Sequence, residues 1–279
     1  MVSSGYLKVI LAMLIWGSVG IFVRIAEQPA PTIVFFRVAT AFVAIGVYFL
    51  LKRKSLNLNG YKKLAVISGI AIALNWLFFF KAIQTTTIGN AVLTYYLSPI
   101  LAIIWAKLFL GEHLERRALY AVGMAASGIF LMLSSYQFSL SSSDFIGILF
   151  GLTAALFYSA VVILVKYMTA VDTNSLVIVQ MGVSSVIFLP FIILNPPTLT
   201  FSSVLAMLTM GIVHSAIALG IYFTGLKTVK IQHASVLSYV DPVSSLIFAY
   251  LIFGETPTLF TAVGGAMILA ASFLVMKRI

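Results

Sequence analysis

The chain is a succession of long apolar runs separated by short polar breaks. A helix needs about 20 apolar residues to cross the hydrocarbon core of a bilayer, and these runs reach that length. The pattern predicts ten helices, at 6–24, 32–52, 63–81, 88–110, 117–135, 144–166, 174–194, 203–223, 232–253 and 258–276. The breaks carry turn residues, including Pro29, Pro31, Asn57–Gly60, Ser139–Ser143, Asn195–Pro197 and Pro257. The predicted fold class is an all-α integral membrane protein with ten transmembrane helices.

Two segments are nearly the same sequence at a constant offset of 143 positions. Residues 95–112 read YYLSPILAIIWAKLFLGE, and residues 238–255 read SYVDPVSSLIFAYLIFGE. Such a repeat predicts two similar halves, 1–138 and 139–279, with five helices in each. Because five is odd, the second half must cross the membrane upside down, which puts Gly111–Glu112 inside and Gly254–Glu255 outside. An inverted repeat lets one fold open alternately to either face around a site near the midplane.

Composition excludes several classes of protein. The chain is 62% hydrophobic and 9% charged, which is outside the range of a soluble domain. It has no cysteine, so disulfides and thiolate metal sites are excluded. HExxH, GxSxG and GxxxxGKS/T are absent, so zinc proteolysis, serine hydrolysis and nucleotide-driven pumping lack their parts. We therefore expect no enzyme activity, no metal and no cofactor, and we expect the first apolar run to be a retained helix rather than a cleaved signal.

The positions of the charges predict an orientation and not a nucleic-acid partner. The net charge is +10, but most of the charges lie at the ends of apolar runs. With the N-terminus inside, fourteen Lys and Arg residues lie on the inner side and two, Arg24 and Lys81, on the outer side. The inner set is Lys8, Lys52, Arg53, Lys54, Lys62, Lys63, Lys107, Arg116, Arg117, Lys166, Lys227, Lys230, Lys277 and Arg278. This bias predicts a protein of the cytoplasmic membrane with both termini in the cytoplasm.

Each copy of the repeat carries a proline within its apolar run, Pro99 in the first and Pro242 in the second. A proline inside a helix frees the carbonyl four residues earlier, here those of Tyr95 and Ser238. In hydrocarbon that carbonyl needs a partner from protein or from a water-lined cavity. The prolines therefore predict either kinks that only serve helix packing or kinks that gate or line a cavity. Their equivalent positions in the two halves make these two interpretations about equally favoured.

Asp241, next to Pro242, is the strongest candidate for chemistry. It lies near the middle of the ninth predicted helix, where an ionised carboxylate is unfavourable by roughly 2.5–3.5 kcal/mol. Burial favours the protonated form, which suits coupling to a proton or cation. The alternative is an acid that only holds helices together through neighbouring hydroxyls or an Arg. The first copy has Ser98 at this position, so a coupling role would be asymmetric.

Helical spacing predicts two stripes as opposite walls of one central cavity. The stripe of Asp241 contains Ala234, Ser238 and Ser245, and the other contains Ala91, Tyr95, Ser98, Ala102 and Trp105. Aromatic residues away from the interface belts predict a pocket for planar or cationic organic molecules. They are Trp16, Trp76, Tyr95, Tyr96, Tyr158, Tyr222 and Tyr239.

Three further polar residues lie within predicted spans. His214 would share a proton with Asp241 or make a structural hydrogen bond between helices. Asn75 would bond across helices or contact a substrate. Arg37 is expected to reach the interface or pair with Glu27 rather than contact a substrate. Rows of small residues predict close helix packing at Gly147, Gly151, Ala155 and Ser159, and at Ala262, Ala266 and Ala270.

These features resemble the drug/metabolite transporter superfamily in its ten-helix form with two EamA-type repeats. The resemblance covers the whole chain and is carried by LIWGSVGIF (14–22), PTIVFFR (31–37) and the two Pro-to-Gly-Glu segments. It implies export of amino acids, related metabolites or toxic compounds, while other relatives move sugar phosphates or nucleotide sugars. An acid just before the second proline is common in such proteins, so Asp241 occupies a recurring position.

The sequence therefore predicts a secondary transporter that exports a small organic metabolite by alternating access, with Asp241 as its protonation site. The expected partners are a small-molecule substrate, the lipid bilayer and protons, and a homodimer is left open. Within transport, the alternative is uptake, or facilitated exchange without proton coupling. From another class, the alternative is a membrane component that does not transport, either an intramembrane enzyme or an assembly partner.

Overall fold

A computed structural model of the chain describes residues 4–86, 88–134, 142–254 and 256–276. The helices are α1 (Ser4–Gly17), α2 (Val19–Ala26), α3 (Ala30–Leu51), α4 (Lys62–Thr85), α5 (Ile88–Tyr95), α6 (Ser98–Leu110), α7 (Arg116–Leu133), α8 (Ser142–Tyr167), α9 (Thr173–Leu194), α10 (Phe201–Thr209), α11 (Ala218–Thr228), α12 (Ile231–Ser238), α13 (Val240–Phe253) and α14 (Leu259–Met276). A π-helical segment, Met210–Ile217, joins α10 to α11. Within the described ranges there is no strand, and ten helical stretches are long and apolar enough to cross a membrane. The predicted all-α class with ten membrane-spanning helices is confirmed.

The predicted crossings agree with the structure to within a few residues, except at one end. The crossing predicted at 203–223 runs from Phe201 to Thr228. In its last turn Lys227 Nζ donates hydrogen bonds to the Val171 carbonyl and to Thr173 Oγ1, which tie this end of the helix to the start of α9. Four predicted features lie outside the described residues: the boundary between the halves at 138/139, Glu255, Lys277 and Arg278.

Three crossings are broken near their middle into two helices each. The first breaks at Ser18, the fourth between Tyr95 and Ser98, and the ninth at Tyr239. Pro99 and Pro242 lie in the first turns of α6 and α13, where a backbone N–H has no partner within the helix. The prolines therefore begin the second half of each crossing instead of bending a continuous helix.

The two halves of the chain interleave in one bundle. Helix α1 packs on α11, α3 on α9, α4 on α8 and α7 on α14, and each pair takes one helix from each side of residue 138. The outer surface carries exposed apolar side chains such as Leu50 and Phe201, as a surface in contact with lipid must. Several polar side chains, among them Arg37, Asn75 and His214, are buried inside the bundle.

Glycine allows the closest helix contacts. A Cβ added to Gly151 would lie 2.0 Å from Thr94 Oγ1, so the small-residue row of α8 packs as predicted. The row in α14 does not, because its three alanines face outward. Those alanines are Ala262, Ala266 and Ala270. The close approach of α14 to α7 is made instead by Gly264 and Gly128, since a Cβ on Gly264 would lie 2.4 Å from the Gly128 carbonyl oxygen.

Candidate functional site

A cavity of about 680 Å³ lies inside the bundle, lined by both halves of the chain. Its volume falls within the ~300–1,000 Å³ that is usual for small-molecule sites. It extends from Trp16, Tyr96 and Asp241 near the middle of their crossings to the Thr256–Thr258 loop after α13. We call the side of the molecule that carries this loop the open face.

Most of the predicted site residues line this cavity. They are Trp16, Arg37, Trp76, Tyr95, Tyr96, Ser98, Pro99, Ser238, Asp241, Pro242 and Ser245, with Tyr158 from the wider aromatic set. Four others lie behind the lining: Asn75, His214, Tyr222 and Tyr239. Phe79, Phe80 and Thr261 also line the cavity, and no local pattern marks them because they lie in ordinary apolar helices.

Asp241 lies in the first turn of α13 and is partly exposed to the cavity. The hydroxyl of Tyr96 donates a hydrogen bond to Asp241 Oδ2 at 3.1 Å. The positive end of the α13 dipole also points to this carboxylate. No Lys or Arg within the described ranges forms an ion pair with Asp241. The carboxylate is therefore held by the Tyr96 hydroxyl and by the α13 helix dipole, neither of which carries a net charge.

The two broken crossings of the repeat touch at Tyr96 and Tyr239. The hydroxyl of Tyr239 donates to the Tyr96 carbonyl at 2.9 Å, and the two rings stack at a centroid distance of 6.0 Å. These residues occupy equivalent positions in the repeat, 143 residues apart. Neither tyrosine belongs to a predicted stripe, but Tyr95 and Ser98 of one stripe and Ser238, Asp241 and Ser245 of the other line the cavity. Ala91, Ala102, Ala234 and Trp105 are outside the lining, and Trp105 Nε1 donates to Ser159 Oγ at 3.0 Å.

Arg37 is not at the interface, and the prediction of a snorkelling or Glu27-paired arginine is wrong. Its side chain is buried, with 8% of the residue exposed, whereas Glu27 is exposed. Arg37 Nε donates to Ser215 Oγ at 2.6 Å, and the guanidinium carbon lies 4.9 Å from the centroid of the Trp76 ring. The sequence could not reveal this because Ser215 is 178 residues away.

His214 and Ser215 belong to the π-helical segment beside the break in the first crossing. His214 Nε2 shares a hydrogen bond with Ser18 Oγ at 2.8 Å, and Trp16 Nε1 donates to the His214 carbonyl at 2.8 Å. His214 makes no hydrogen bond to Asp241, so the geometry favours the structural alternative over proton sharing. A π-helical turn within an α-helix is frequent at functional sites.

Asn75, Tyr222 and Tyr239 support the lining from behind. Asn75 Nδ2 donates to the Ala154 carbonyl at 2.9 Å, which confirms the predicted bond across helices. Tyr222 is 1% exposed, and its ring lies 5.1 Å from that of Trp16 between centroids. These contacts fix the orientation of the side chains that reach the cavity.

A polar cluster closes the side of the bundle opposite the open face. We call it the closed-face cluster and define it as Tyr6, Glu112, Glu115, Lys230 and His233. The backbone N–H of Ile231 donates to Glu112 Oε1 at 3.1 Å and Oε2 at 3.0 Å, at the start of α12. Glu115 contacts Lys230, and its Oε2 lies 3.2 Å from His233 Nε2. The other ring nitrogen of His233, Nδ1, contacts the Tyr6 hydroxyl. The pKa of Glu115 is held below its usual value, mainly because Lys230 donates a hydrogen bond to it and also because of His233.

This cluster has no signal in the sequence. Glu112 stands out only as the end of the repeated segment, and no local pattern marks His233 as a functional residue. Tyr6 and His233 are 227 residues apart, so no local pattern joins them. Within residues 4–86, 88–134, 142–254 and 256–276, no three His, Asp or Glu side chains gather as metal ligands do.

Comparison with known proteins gives a consistent result. A sequence profile of the EamA-like transporter family matches residues 3–134 and 145–277. An uncharacterized transporter of Archaeoglobus fulgidus is 28% identical, over 98% of this chain and 97% of that protein. The pseudopaline exporter CntI of Pseudomonas aeruginosa is 25% identical, over 97% of this chain and 95% of that protein. A solved crystal structure has the same fold, with a TM-score of 0.88 at 21% identity over 100% of this chain and 99% of the other.

Proposed function

The chain belongs to the EamA-like transporter family, and on that premise we propose that it exports a small organic metabolite across the cytoplasmic membrane. The family and the ten crossings make it a multi-pass membrane transporter, which confirms the family resemblance found in the sequence. Export is supported by the one relative above whose name states a cargo, a pseudopaline exporter. The single observation that carries the proposal is the cavity of about 680 Å³ that both halves line and that reaches one face.

The distribution of Lys and Arg supports the orientation in this proposal. The loop between α3 and α4 and the closed-face cluster lie on the Lys- and Arg-rich side, which the positive-inside rule assigns to the cytoplasm. The open face is then extracellular, and the structure corresponds to an outward-open state. In this state a metabolite can leave the cavity but cannot enter it from the cytoplasm.

An inverted repeat supplies the alternation between the two faces. Tyr96 and Tyr239 are equivalent in sequence and contact each other, as residues next to a two-fold axis between the halves would. The closed-face cluster joins the loop before α7 to the start of α12. We expect the inward-open state to separate these segments and to close the cavity toward the open face.

Asp241 is the proposed protonation site. It is the acid that lines the cavity within the described residues, and its partner is the neutral Tyr96 hydroxyl. A carboxylate with no cationic partner can take up and release a proton without breaking an ion pair. Alternating exposure to the two faces would then couple proton entry to metabolite exit.

The proposal is tested by comparing growth media of cells that express the wild type, Asp241→Asn or an empty vector, at matched membrane levels. A metabolite that accumulates outside only with the wild type supports proton-coupled export and identifies the cargo. The control is Glu27→Gln, which neutralises an exposed acid outside the cavity and should export normally.

Other outcomes separate the alternatives. Depletion of a metabolite from the medium contradicts export in favour of uptake. Equal export by the wild type and Asp241→Asn contradicts proton coupling in favour of uncoupled exchange. If no variant differs from the empty vector, the transport proposal gives way to a membrane component that does not transport.

A further inference from the structure

Arg37 is buried between helices and also lines the cavity. Its Nε donates to Ser215 Oγ, and Trp76 lies under the guanidinium. The two terminal nitrogens of the guanidinium make no hydrogen bond to any residue in the described part of the chain. Two of its five N–H donors belong to each terminal nitrogen, so four donors are available toward the cavity.

Arg37 forms no ion pair with an acid in the described part of the chain. Asp241 lines the same cavity but is held by Tyr96, and Glu27 is exposed at the end of α2. A buried arginine is strongly unfavourable unless an anion or several hydrogen bonds compensate it. Ser215 supplies one hydrogen bond and Trp76 a ring contact, which leaves the terminal N–H donors available to a ligand in the cavity.

We propose that Arg37 is an anion-binding subsite of the cavity and that the transported metabolite carries a carboxylate that it binds. Because Nε is occupied by Ser215, the two terminal nitrogens are left side by side on one edge of the planar group. That edge matches the two oxygens of a carboxylate. This inference rests on the proposed function, since it takes the ligand of the cavity to be the cargo.

The neighbours of Arg37 hold the subsite in place. Ser215 fixes one edge of the guanidinium, and the Trp76 ring at 4.9 Å fixes its plane. The remaining lining is largely apolar and aromatic, including Ile72, Phe79 and Leu219. The site therefore suits an organic acid with an apolar body rather than a small inorganic anion.

The test uses the full chain in detergent micelles and two probes that share one apolar body. Sodium 3-phenylpropionate carries a carboxylate, and 3-phenylpropanamide carries a neutral amide of similar size. Trp16 and Trp76 line the cavity, so tryptophan fluorescence reports binding. We expect the wild type to bind the carboxylate about 10- to 100-fold more tightly, the range for hydrogen bonds to charged groups.

Three variants assign this preference to a residue. Arg37→Gln should bind both probes equally, and Arg37→Lys should keep part of the preference because it keeps the charge and loses the planar edge. The control is Arg24→Gln, because Arg24 is an exposed arginine that also lies over an aromatic ring, 4.6 Å from the Phe253 centroid. Arg24→Gln should keep the full preference of the wild type.

Several results would overturn the subsite. One is a wild type that binds both probes equally or binds neither. A second is a preference that survives in Arg37→Gln, and a third is inorganic phosphate displacing the carboxylate at lower concentration than acetate does. If Arg37→Gln does not fold, the wild-type comparison and Arg37→Lys still decide. A retained preference with no export would contradict the proposed function alone, and export without a preference would contradict the subsite alone.

Discussion

Arg37 and Asp241 are the two charged side chains in the described lining of the cavity, and neutral groups hold both of them. Ser215 accepts a hydrogen bond from Arg37, and Tyr96 donates one to Asp241. A neutral partner fixes the position of a charge without cancelling it, so each charge stays available to a ligand or a proton. The cavity therefore differs from a structural ion pair, in which two residues satisfy each other.

Glu115 on the closed face shows the opposite arrangement. Its pKa lies below the usual value because Lys230 and His233 hydrogen-bond to its carboxylate. A lowered pKa in the folded state means that the contact stabilises the protein above the usual carboxyl range. That stabilisation is lost as pH falls through the lowered pKa.

We expect Glu115→Gln to lower the thermal unfolding midpoint near pH 8, where the Glu115 carboxylate is ionised and contacts Lys230. Below the usual carboxyl pKa the difference from the wild type should shrink, because the wild-type carboxylate then becomes protonated. The measurement is the unfolding midpoint of both proteins in detergent from about pH 8 to below the usual carboxyl pKa. A difference that persists undiminished below that pKa would contradict the assigned contacts.

For single residues, the sequence predicted which side chains line the cavity better than it predicted their hydrogen-bond partners. Asp241 was found because an acid in an apolar run stands out locally. The partners of Arg37 and His214 lie 178 and 196 residues away, so their contacts depend on how the helices pack. For the same reason the closed-face cluster could not be anticipated.

At the scale of helices, the breaks in the crossings bring backbone into the centre of the bundle. The break at Ser18 lies beside the start of α13, where Gly17 packs directly on Ser244. A Cβ added to Gly17 would lie 2.0 Å from Ser244 Oγ and 2.8 Å from the backbone nitrogen of Ser245. Since a backbone atom cannot move aside as a side chain can, α1 and α13 would have to separate.

Gly17→Ala is therefore expected to destabilise the protein by about 1–3 kcal/mol, the usual effect of overpacking. It should also lower export, because Ser245 lines the cavity. The control is Gly123→Ala in α7, where an added Cβ meets nothing within 4 Å. That variant should be as stable as the wild type or slightly more so, as alanine favours helix over glycine. Thermal unfolding in detergent compares the three proteins, and equal midpoints would argue against the close contact.

Long helices could be predicted from the sequence because their length and hydrophobicity are local properties. Pro99 and Pro242 predict kinks in the fourth and ninth crossings, and the structure breaks both crossings just before these prolines. The break at Ser18 and the π-helical segment were not expected, since neither contains a proline. The Gly17–Ser18 pair was the available signal, because such pairs accompany kinks.

For the whole molecule, the orientation can be tested directly because the chain has no cysteine of its own. We expect a cysteine in place of Leu56, in the loop between α3 and α4, to be inaccessible to an impermeant maleimide added to intact cells. A cysteine in place of Leu199, in the loop before α10, should react. Leu56 is 53% exposed and Leu199 is 41% exposed, so reagent access is not limited by burial. The reverse labelling would invert the proposed direction of the open face.

The contact between Tyr96 and Tyr239 has a consequence for how such a site can arise. If the two halves were separate, identical subunits, every residue at the centre of the bundle would be present twice, once from each subunit. The acid at position 241 would then meet a second acid at the position now held by Ser98, and two carboxylates would repel each other in an apolar interior. Joining the halves in one polypeptide removes that constraint, because each half can change alone. The lone acid at the centre is thus a property that a symmetric pair of separate chains could not have.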